Sequence, residues 1–297
     1  MACLTPLLAV QANWFVKMDC LLPGHSHKSR AAQYIVQAGI RDGLIVPGQT
    51  TLIEKTGGNF GLGLALIASK HNLKVDLAIG LGFSRKKREF LSRYGAHLIG
   101  GDMLLDGMQP KDVVHYHLAN QDTLGKRYFY TDQFNNVGSL HAHEHITGPE
   151  IIAQLRQLAP KAKRIVFVAC AGTGAHATGV AYAIRSAGYH CHLILVEPHA
   201  CNTLADVHEK HRFEGMNVGV RPPFLDASLI SDVLKVKNDE ALAMQTHFAV
   251  EHGYYLGMTS AACLAAAQRV ALDVKDDKNT CLVNMAYDLG FWYEGLD

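Results

Sequence analysis

Residues 164–170, Arg-Ile-Val-Phe-Val-Ala-Cys, form an apolar, β-branched run that breaks at once into Ala171-Gly172-Thr173-Gly174-Ala175-His176. A helical pattern over 175–187 follows, and then a second apolar run at 192–197. Strand, glycine turn, helix and strand in that order commit the chain to parallel sheet with helices on both faces. The rhythm recurs earlier. Residues 63–71 and 84–94 read as helices, 75–79 and 95–100 as strands, and Pro149 is placed to open a helix running through Leu158. The stretch 213–224, with its Gly, Asn and Pro residues, reads as a long loop, and 262–271 reads as helix.

With 297 residues, 48% of them hydrophobic, the chain has enough apolar surface for a large core split into two lobes. A net charge of +1 removes the electrostatic case for nucleic acid or an anionic membrane as partner. No run approaches the ~18–20 apolar residues of a membrane span. The apolar start at 1–10 lacks a basic flank and carries Pro6, so no signal peptide is expected. Cysteines 3, 20, 170, 191, 201, 263 and 281 are scattered, odd in number and free of C-x-x-C spacing. Buried reduced thiols in a cytoplasmic protein are expected. No repeat, low-complexity segment or Pro/Gly/Ser-rich linker separates the lobes.

The turn at 172–176 is an anion site in outline. Backbone N–H groups at a helix start point at a phosphate, the helix dipole favours negative charge, and glycines admit close approach. Gly172-Thr173-Gly174-Ala175-His176-Ala177 also fits G-x-G-x-x-A, with Glu197 at the end of the next strand, as in a dinucleotide site. The motif reports phosphate and not its carrier, so both ligands stand. A tight strand–helix turn with no ligand is the third reading.

Two segments upstream narrow the choice. Lys28 lies in Pro23-Gly24-His25-Ser26-His27-Lys28-Ser29-Arg30, and Thr56-Gly57-Gly58-Asn59-Phe60-Gly61 follows. An amine, a polar Gly-Asn loop and a phosphate cradle are the parts needed to hold an aldehyde cofactor carrying a phosphate. That points to pyridoxal phosphate. The bland alternatives are a surface basic patch of Lys17, Lys28 and Arg30, and an ordinary Gly-Gly-Asn turn.

Thr5-Pro6-Leu7, Lys17, the 23–30 run, the 56–61 run and Gly172-Thr173-Gly174 together resemble the fold-type II pyridoxal-phosphate enzymes. Within them the chain is most similar to the cysteine synthase/cystathionine β-synthase group. Gln133-Phe134-Asn135-Asn136, the run 143–150, Glu214-Gly215-Met216-Asn217-Val218-Gly219 and Gly257-Met258-Thr259-Ser260-Ala261-Ala262 extend the likeness in order, almost to the C-terminus. The resemblance implies a two-lobed α/β fold like the tryptophan synthase β chain, each lobe a mostly parallel twisted sheet flanked by helices. Residues 29–148 would form a smaller, mobile lobe with the substrate-carboxylate loop. Residues 1–28 and 149–297 would form the larger lobe with the phosphate loop.

By the same resemblance Lys28 forms the Schiff base and then removes the substrate α-proton. Asn59 holds the cofactor ring. Gly172, Thr173, Gly174, Ala175 and His176 hold its phosphate, and Gly215 lies over it. Thr56, Gly57, Gly58 and the N–H of Phe60 close on the substrate carboxylate, and Gln133 contacts the substrate. Thr259 faces the pyridine nitrogen. A hydroxyl there does not stabilise a protonated ring, which suits chemistry at Cβ rather than transamination. An N-cap role for Thr259 or Ser260 is compatible with this.

The implied reaction is β-replacement on an L-serine derivative through an α-aminoacrylate, with sulfide, a thiol or an amine adding at Cβ. Pure β-elimination, an NAD-dependent oxidoreductase built on the 172–177 loop, and a non-catalytic pyridoxal-phosphate-binding relative are the alternatives. A homodimer is expected from the family. Several positions depart from its pattern: Ala175 and His176 replace Gly and Thr of the phosphate loop, Ser29 replaces an aspartate, and Phe60 replaces a threonine. On a helix His141 and His145 would share a face, as metal ligands can, but the family match explains that segment and no metal is expected. His115 and His117 are expected on a solvated loop or strand.

Overall fold

The computed structural model describes residues 4–83 and 85–293. Cys3 and Ser84, the latter the first residue of the helix expected at 84–94, lie outside the described residues.

Two antiparallel strands open the chain, β1 (Leu7–Gln11) and β2 (Trp14–Lys17). The middle of the chain forms α1 (Lys28–Arg41), β3 (Thr50–Glu54), α2 (Asn59–Lys70), β4 (Lys74–Leu77), α3 (Arg85–Arg93), β5 (Ala96–Leu98), α4 (Gly101–Leu105), α5 (Pro110–Ala119) and β6 (Arg127–Tyr130). A helical stretch follows: α6 (Gly138–Ala142), a π-helical turn (His143–Thr147) and α7 (Gly148–Leu158). The remainder is β7 (Arg164–Cys170), α8 (Ala175–Ser186), β8 (His190–Pro198), β9 (Ile230–Val236), α9 (Asn238–His252), α10 (Met258–Val274) and β10 (Thr280–Met285). Two compact units result, one holding the chain up to His27 together with Leu140–Tyr293, the other Lys28–Ser139.

The larger unit contains a six-stranded sheet in the order β1-β2-β10-β7-β8-β9, parallel except for the β1–β2 pair. Its central strands are buried on both faces, as their unbroken apolar sequence requires. Alternation divides them. Val166 and Val168 of β7 pack in one cluster with Ala262, Leu264 and Ala266 of α10 and Phe248 of α9. Ile165, Phe167 and Ala169 pack on the other face with Ile151 and Leu155 of α7 and Val180 and Ile184 of α8. The smaller unit contains a four-stranded, fully parallel sheet, β5-β4-β3-β6, with Ile53, Ala78, Ile99, Val113 and Val114 in its core. The expected α/β architecture of parallel sheets flanked by helices is therefore the one adopted.

Several local expectations change. Helix α2 starts at Asn59, four residues ahead of the expected start, because extended Gly58 serves as its N-cap and the Gly-Gly-Asn run leads into a helix instead of a turn. The helix expected to open at Pro149 and run through Leu158 is α7, with Pro149 in its first turn. What was not expected is that α7 continues directly from the π turn, where the Gly148 N–H bonds the His143 carbonyl five residues back. A proline ring crowds the carbonyl four residues before it, and the wider turn at that point relieves the crowding. His115 and His117 lie on α5, begun by Pro110, and not on a loop or strand.

Candidate active site

In the larger unit, β7 ends at Cys170 and the chain reaches α8 through Ala171–Gly174. Gly174 is the N-cap of α8 with φ +81°, and a Cβ on it would lie 2.7 Å from Leu225 Cα. Only glycine meets both conditions. A Cβ on Gly172 would lie 2.9 Å from the Gly215 carbonyl oxygen. The Gly215 N–H in turn donates to Thr259 Oγ1 at 3.1 Å. Three predicted residues far apart in sequence, Gly172, Gly215 and Thr259, thus meet beside the start of a 12-residue helix. Backbone bonds fix the surroundings: Asn217 N–H to the Ala171 carbonyl at 2.9 Å and Phe224 N–H to the Thr173 carbonyl at 3.0 Å. The Thr173 hydroxyl accepts from the Ala175 N–H at 3.3 Å. The glycine cradle and helix start fit a phosphate group, because bare backbone is exposed where any Cβ would intrude.

Neither Thr259 nor Ser260 caps α10. Its N-cap is Gly257, and both hydroxyls lie inside the first turn. Ser260 Oγ accepts the Tyr287 N–H at 2.9 Å, tying α10 to the segment after β10. Thr259 Oγ1 accepts from Gly215, which leaves its own proton for another acceptor.

His176 is buried in the first turn of α8, within a cluster of rings. Its ring centroid lies 5.2 Å from His143, 5.2 Å from Tyr287, 5.3 Å from Phe167 and 5.9 Å from His27. His27 is covalently joined to Lys28. Burial pushes the Tyr287 phenol and the Cys263 thiol well above their ordinary values. Cys20 and Cys281 are each pushed up to about 12, again chiefly by burial. The six described cysteines are free and buried.

Lys17 and Arg30 do not form a surface patch, because both are buried. Lys17 Nζ contacts Glu150 Oε2 at 2.9 Å and donates to the Thr5 carbonyl at 2.7 Å and Gln154 Oε1 at 2.9 Å. Lys17 is thus paired with Glu150 and, through the Thr5 carbonyl that also accepts from Gln154, ties the first strands to α7.

The smaller unit carries the other predicted residues. Lys28 is half-buried and is the first residue of α1. Beside it Ser29 meets Gly63 of α2, where a Cβ would lie 3.0 Å from Ser29 Cα. That contact brings α1 and α2 close at the ends bearing Lys28 and Asn59. Asn59 and Phe60 occupy the first turn of α2, ahead of its first backbone bonds, which run from Gly61 and Leu62 to the Gly58 carbonyl. Their N–H groups are those a helix start offers to an anion. The Thr56 hydroxyl accepts the Gly58 N–H at 3.3 Å, and a Cβ on Gly57 would lie 2.7 Å from Ile79 Cγ2. The Phe60 side chain is buried, so it shapes the unit's interior and not an open surface.

Gln133 joins this group through a residue the sequence reading passed over. Glu54, at the end of β3, accepts the Lys55 N–H on Oε1 at 3.0 Å. Its Oε2 accepts the Thr131 hydroxyl at 2.7 Å and the Gln133 N–H at 3.1 Å. Burial, partly offset by these bonds, pushes its carboxyl up to about 7. The available signal was position, since Glu54 directly precedes the Lys55-Thr56-Gly57 run.

Among the described residues, no group of three His, Cys, Asp or Glu side chains is placed to hold a metal. His141 and His145 do share a face, with rings stacked at 4.9 Å. No described helix is long and apolar enough to cross a membrane.

A family model described as pyridoxal-phosphate dependent enzyme matches residues 4–285. A cysteine synthase of Staphylococcus aureus is 29% identical over 278 residues, covering 92% of this chain and 85% of that protein. The crystal structure of a hydrogen sulfide-producing enzyme from Fusobacterium nucleatum superposes with a TM-score of 0.80 at 28% identity, covering 97% of this chain and 94% of that one. An O-acetylserine dependent cystathionine β-synthase from Helicobacter pylori gives a TM-score of 0.77 at 25% identity, covering 98% of this chain and 95% of that one.

Proposed function

The chain belongs to the pyridoxal-phosphate dependent enzyme family, and on that premise we propose that it catalyses β-replacement on an L-serine derivative, in the manner of a cysteine synthase. Pyridoxal phosphate supplies an aldehyde that condenses with amines and an electron-withdrawing ring that stabilises negative charge at Cα. The residues proposed to hold it are Lys28, Asn59, the 172–176 loop, Gly215 and Thr259.

Lys28 carries the amine that anchors the cofactor and, once displaced by the substrate amine, takes the proton from Cα. The N–H groups of Gly57, Gly58, Asn59 and Phe60 and the Thr56 hydroxyl receive the substrate carboxylate, with Gln133 beside them. Backbone donors suit an anion that must bind and leave. The same segment, closing over the substrate, excludes water from the reacting Cβ.

The observation that carries the reading of reaction type is Thr259. Its hydroxyl accepts the Gly215 N–H next to Gly172 and keeps one proton to donate. Thr259 would offer a neutral hydroxyl, and not a carboxylate, to the ring nitrogen of a bound cofactor, and a ring without a stabilised proton would suit departure of a group from Cβ better than transamination.

The test is the visible absorption spectrum of the purified holoenzyme before and after O-acetylserine, with and without sulfide. The expected result is a band that shifts with O-acetylserine and returns with sulfide as cysteine forms. A band that never responds to any serine derivative overturns the reading. Release of pyruvate at the same rate with and without sulfide assigns elimination instead. A cytoplasmic homodimer is part of the proposal; the buried free cysteines fit a reducing compartment, and sedimentation of the holoenzyme reads the assembly.

A further inference from the structure

We propose that Glu54 is a positioning residue that staples the substrate loop at 55–60 to the Gln133 segment, so that both receive the substrate as one preformed surface. This rests on the reading of those two segments as the substrate-binding residues. Strands β3 and β6 are parallel neighbours, with Ile53 opposite Tyr130, so the chain leaves both strands at the same edge of the sheet. Such carboxyl edges are where open parallel sheets bind ligands. The loop to α2 leaves from β3, and the segment bearing Gln133 leaves from β6.

A single carboxylate spans the gap. Oε1 holds the Lys55 N–H, and Oε2 holds the Thr131 hydroxyl and the Gln133 N–H. Gln133 is pinned on its other side as well, since the Ser139 hydroxyl donates to its carbonyl at 2.9 Å. The loop end of the staple is pressed in place by Gly57 against Ile79 and Phe83. Three donors converge on an acceptor that has no exposure. An acceptor-only carboxylate satisfies all three, and an amide does not, because one of its two ends is itself a donor.

The titratable groups facing Glu54 are Asp132, whose charge pushes its carboxyl up, and Tyr130, whose phenol is raised by burial first and then by Glu54. The Lys55 ammonium is directed over the Phe134 ring, 5.9 Å from its centroid. On protonation the carboxyl becomes a donor. The Thr131 hydroxyl can then turn its proton to the Ile53 carbonyl, 3.4 Å away, and accept from Glu54. The staple therefore has two bonded states: burial favours the neutral one, and only the ionised one accepts from all three donors.

The experiment compares holoenzyme of the parent, Glu54→Gln and Thr131→Val by steady-state kinetics across pH and by backbone hydrogen exchange. For Glu54→Gln we expect KM for the serine derivative to rise about tenfold with a smaller change in kcat, and an unchanged cofactor absorption band. The parent's KM should increase as pH falls through neutrality, and that break should vanish in Glu54→Gln. Thr131→Val, which removes one bond to the ionised form, should move the break to higher pH. Exchange at residues 55–60 and 131–135 should quicken together in Glu54→Gln, whether or not any substrate is turned over. Unchanged exchange in both segments overturns the staple. Quickened exchange with no response to any serine derivative in the parent overturns the functional reading and leaves the staple standing. Kinetic variants that keep the parent's KM and pH profile despite quickened exchange overturn the positioning role.

Discussion

Replacing Gly174 by alanine separates two costs that a glycine loop combines. Gly174 and Gly188 lie at opposite ends of α8, and both have left-handed backbone, φ +81° and +85°. A Cβ on Gly188 meets nothing within 4 Å. Gly188→Ala therefore reports conformational strain alone, ~1 kcal/mol after the gain from a stiffer unfolded chain. A Cβ on Gly174 would lie 2.7 Å from Leu225 Cα, and backbone has no rotamer to turn aside. The neighbouring Phe224 N–H to Thr173 carbonyl bond holds that strand of chain against the loop. Forcing them apart adds the cost of overpacking, ~1–3 kcal/mol, so Gly174→Ala should cost ~2–4 kcal/mol in total. Urea unfolding of both variants reads the difference. Pyridoxal phosphate titration of the apo-proteins reads its consequence, with a Kd raised about tenfold or more for Gly174→Ala and unchanged for Gly188→Ala. Equal destabilisation of the two variants, with parental cofactor affinity in both, would refute the argument from close approach.

Lys17→Met should destabilise by ~3–5 kcal/mol, because it leaves Glu150 charged beside an apolar chain, and the further change Glu150→Gln should restore part of the loss; urea midpoints check both. The His208 imidazole is held above its usual value, first by its bond to Asn217 and then by Asp206. Its contribution to stability is then fully present below the unfolded value and lost as pH rises through the folded one, and an NMR titration midpoint at or below ~6.5 would contradict this. Glu54 is also raised, to about 7, so its contribution is present below its unfolded value and lost as pH rises from there through 7. Glu54→Gln should flatten that part of the stability profile, read by thermal unfolding at a series of pH values.

The elements that were legible in the sequence are those whose cause is local. The strand β7 falls on its expected bounds because β-branched apolar residues end abruptly at a glycine. The start of α2 was hidden because Gly57-Gly58-Asn59 carries a turn composition, while extended Gly58 serves as the N-cap of a helix that begins at Asn59. The π turn has no residue signature of its own. It follows from fitting a proline at position 149 and from Gly179 of α8, where a Cβ would lie 2.7 Å from the Leu140 carbonyl. Nothing near Lys17 in sequence marks it as a buried ion-pair partner, because Glu150 belongs to α7, far along the chain. Glu54 shows the same limit from the other side. Its neighbours in sequence drew attention to the run after it, but the bonds that bury its carboxylate come from residues 131 and 133.

The two readings of the 172–177 loop are separated by a residue outside it. A dinucleotide site needs the acidic residue at the end of the second strand to face a ribose. Glu197 occupies that position, but it is buried, accepts the Thr203 N–H on Oε1 at 2.8 Å and is paired through Oε2 with Lys235 of β9. Its carboxylate is used in joining β8 to β9 and to the loop after Pro198. Against the same loop lie Gly215 and Thr259, where a Cβ on Gly172 would meet the Gly215 carbonyl at 2.9 Å and one on Gly215 would meet Thr259 at 3.1 Å. Phosphate recognition is common to both ligands and is written in the glycines. What distinguishes the ligands is where the next acid and the next hydroxyl point, and that follows from strand pairing and helix packing instead of from the motif.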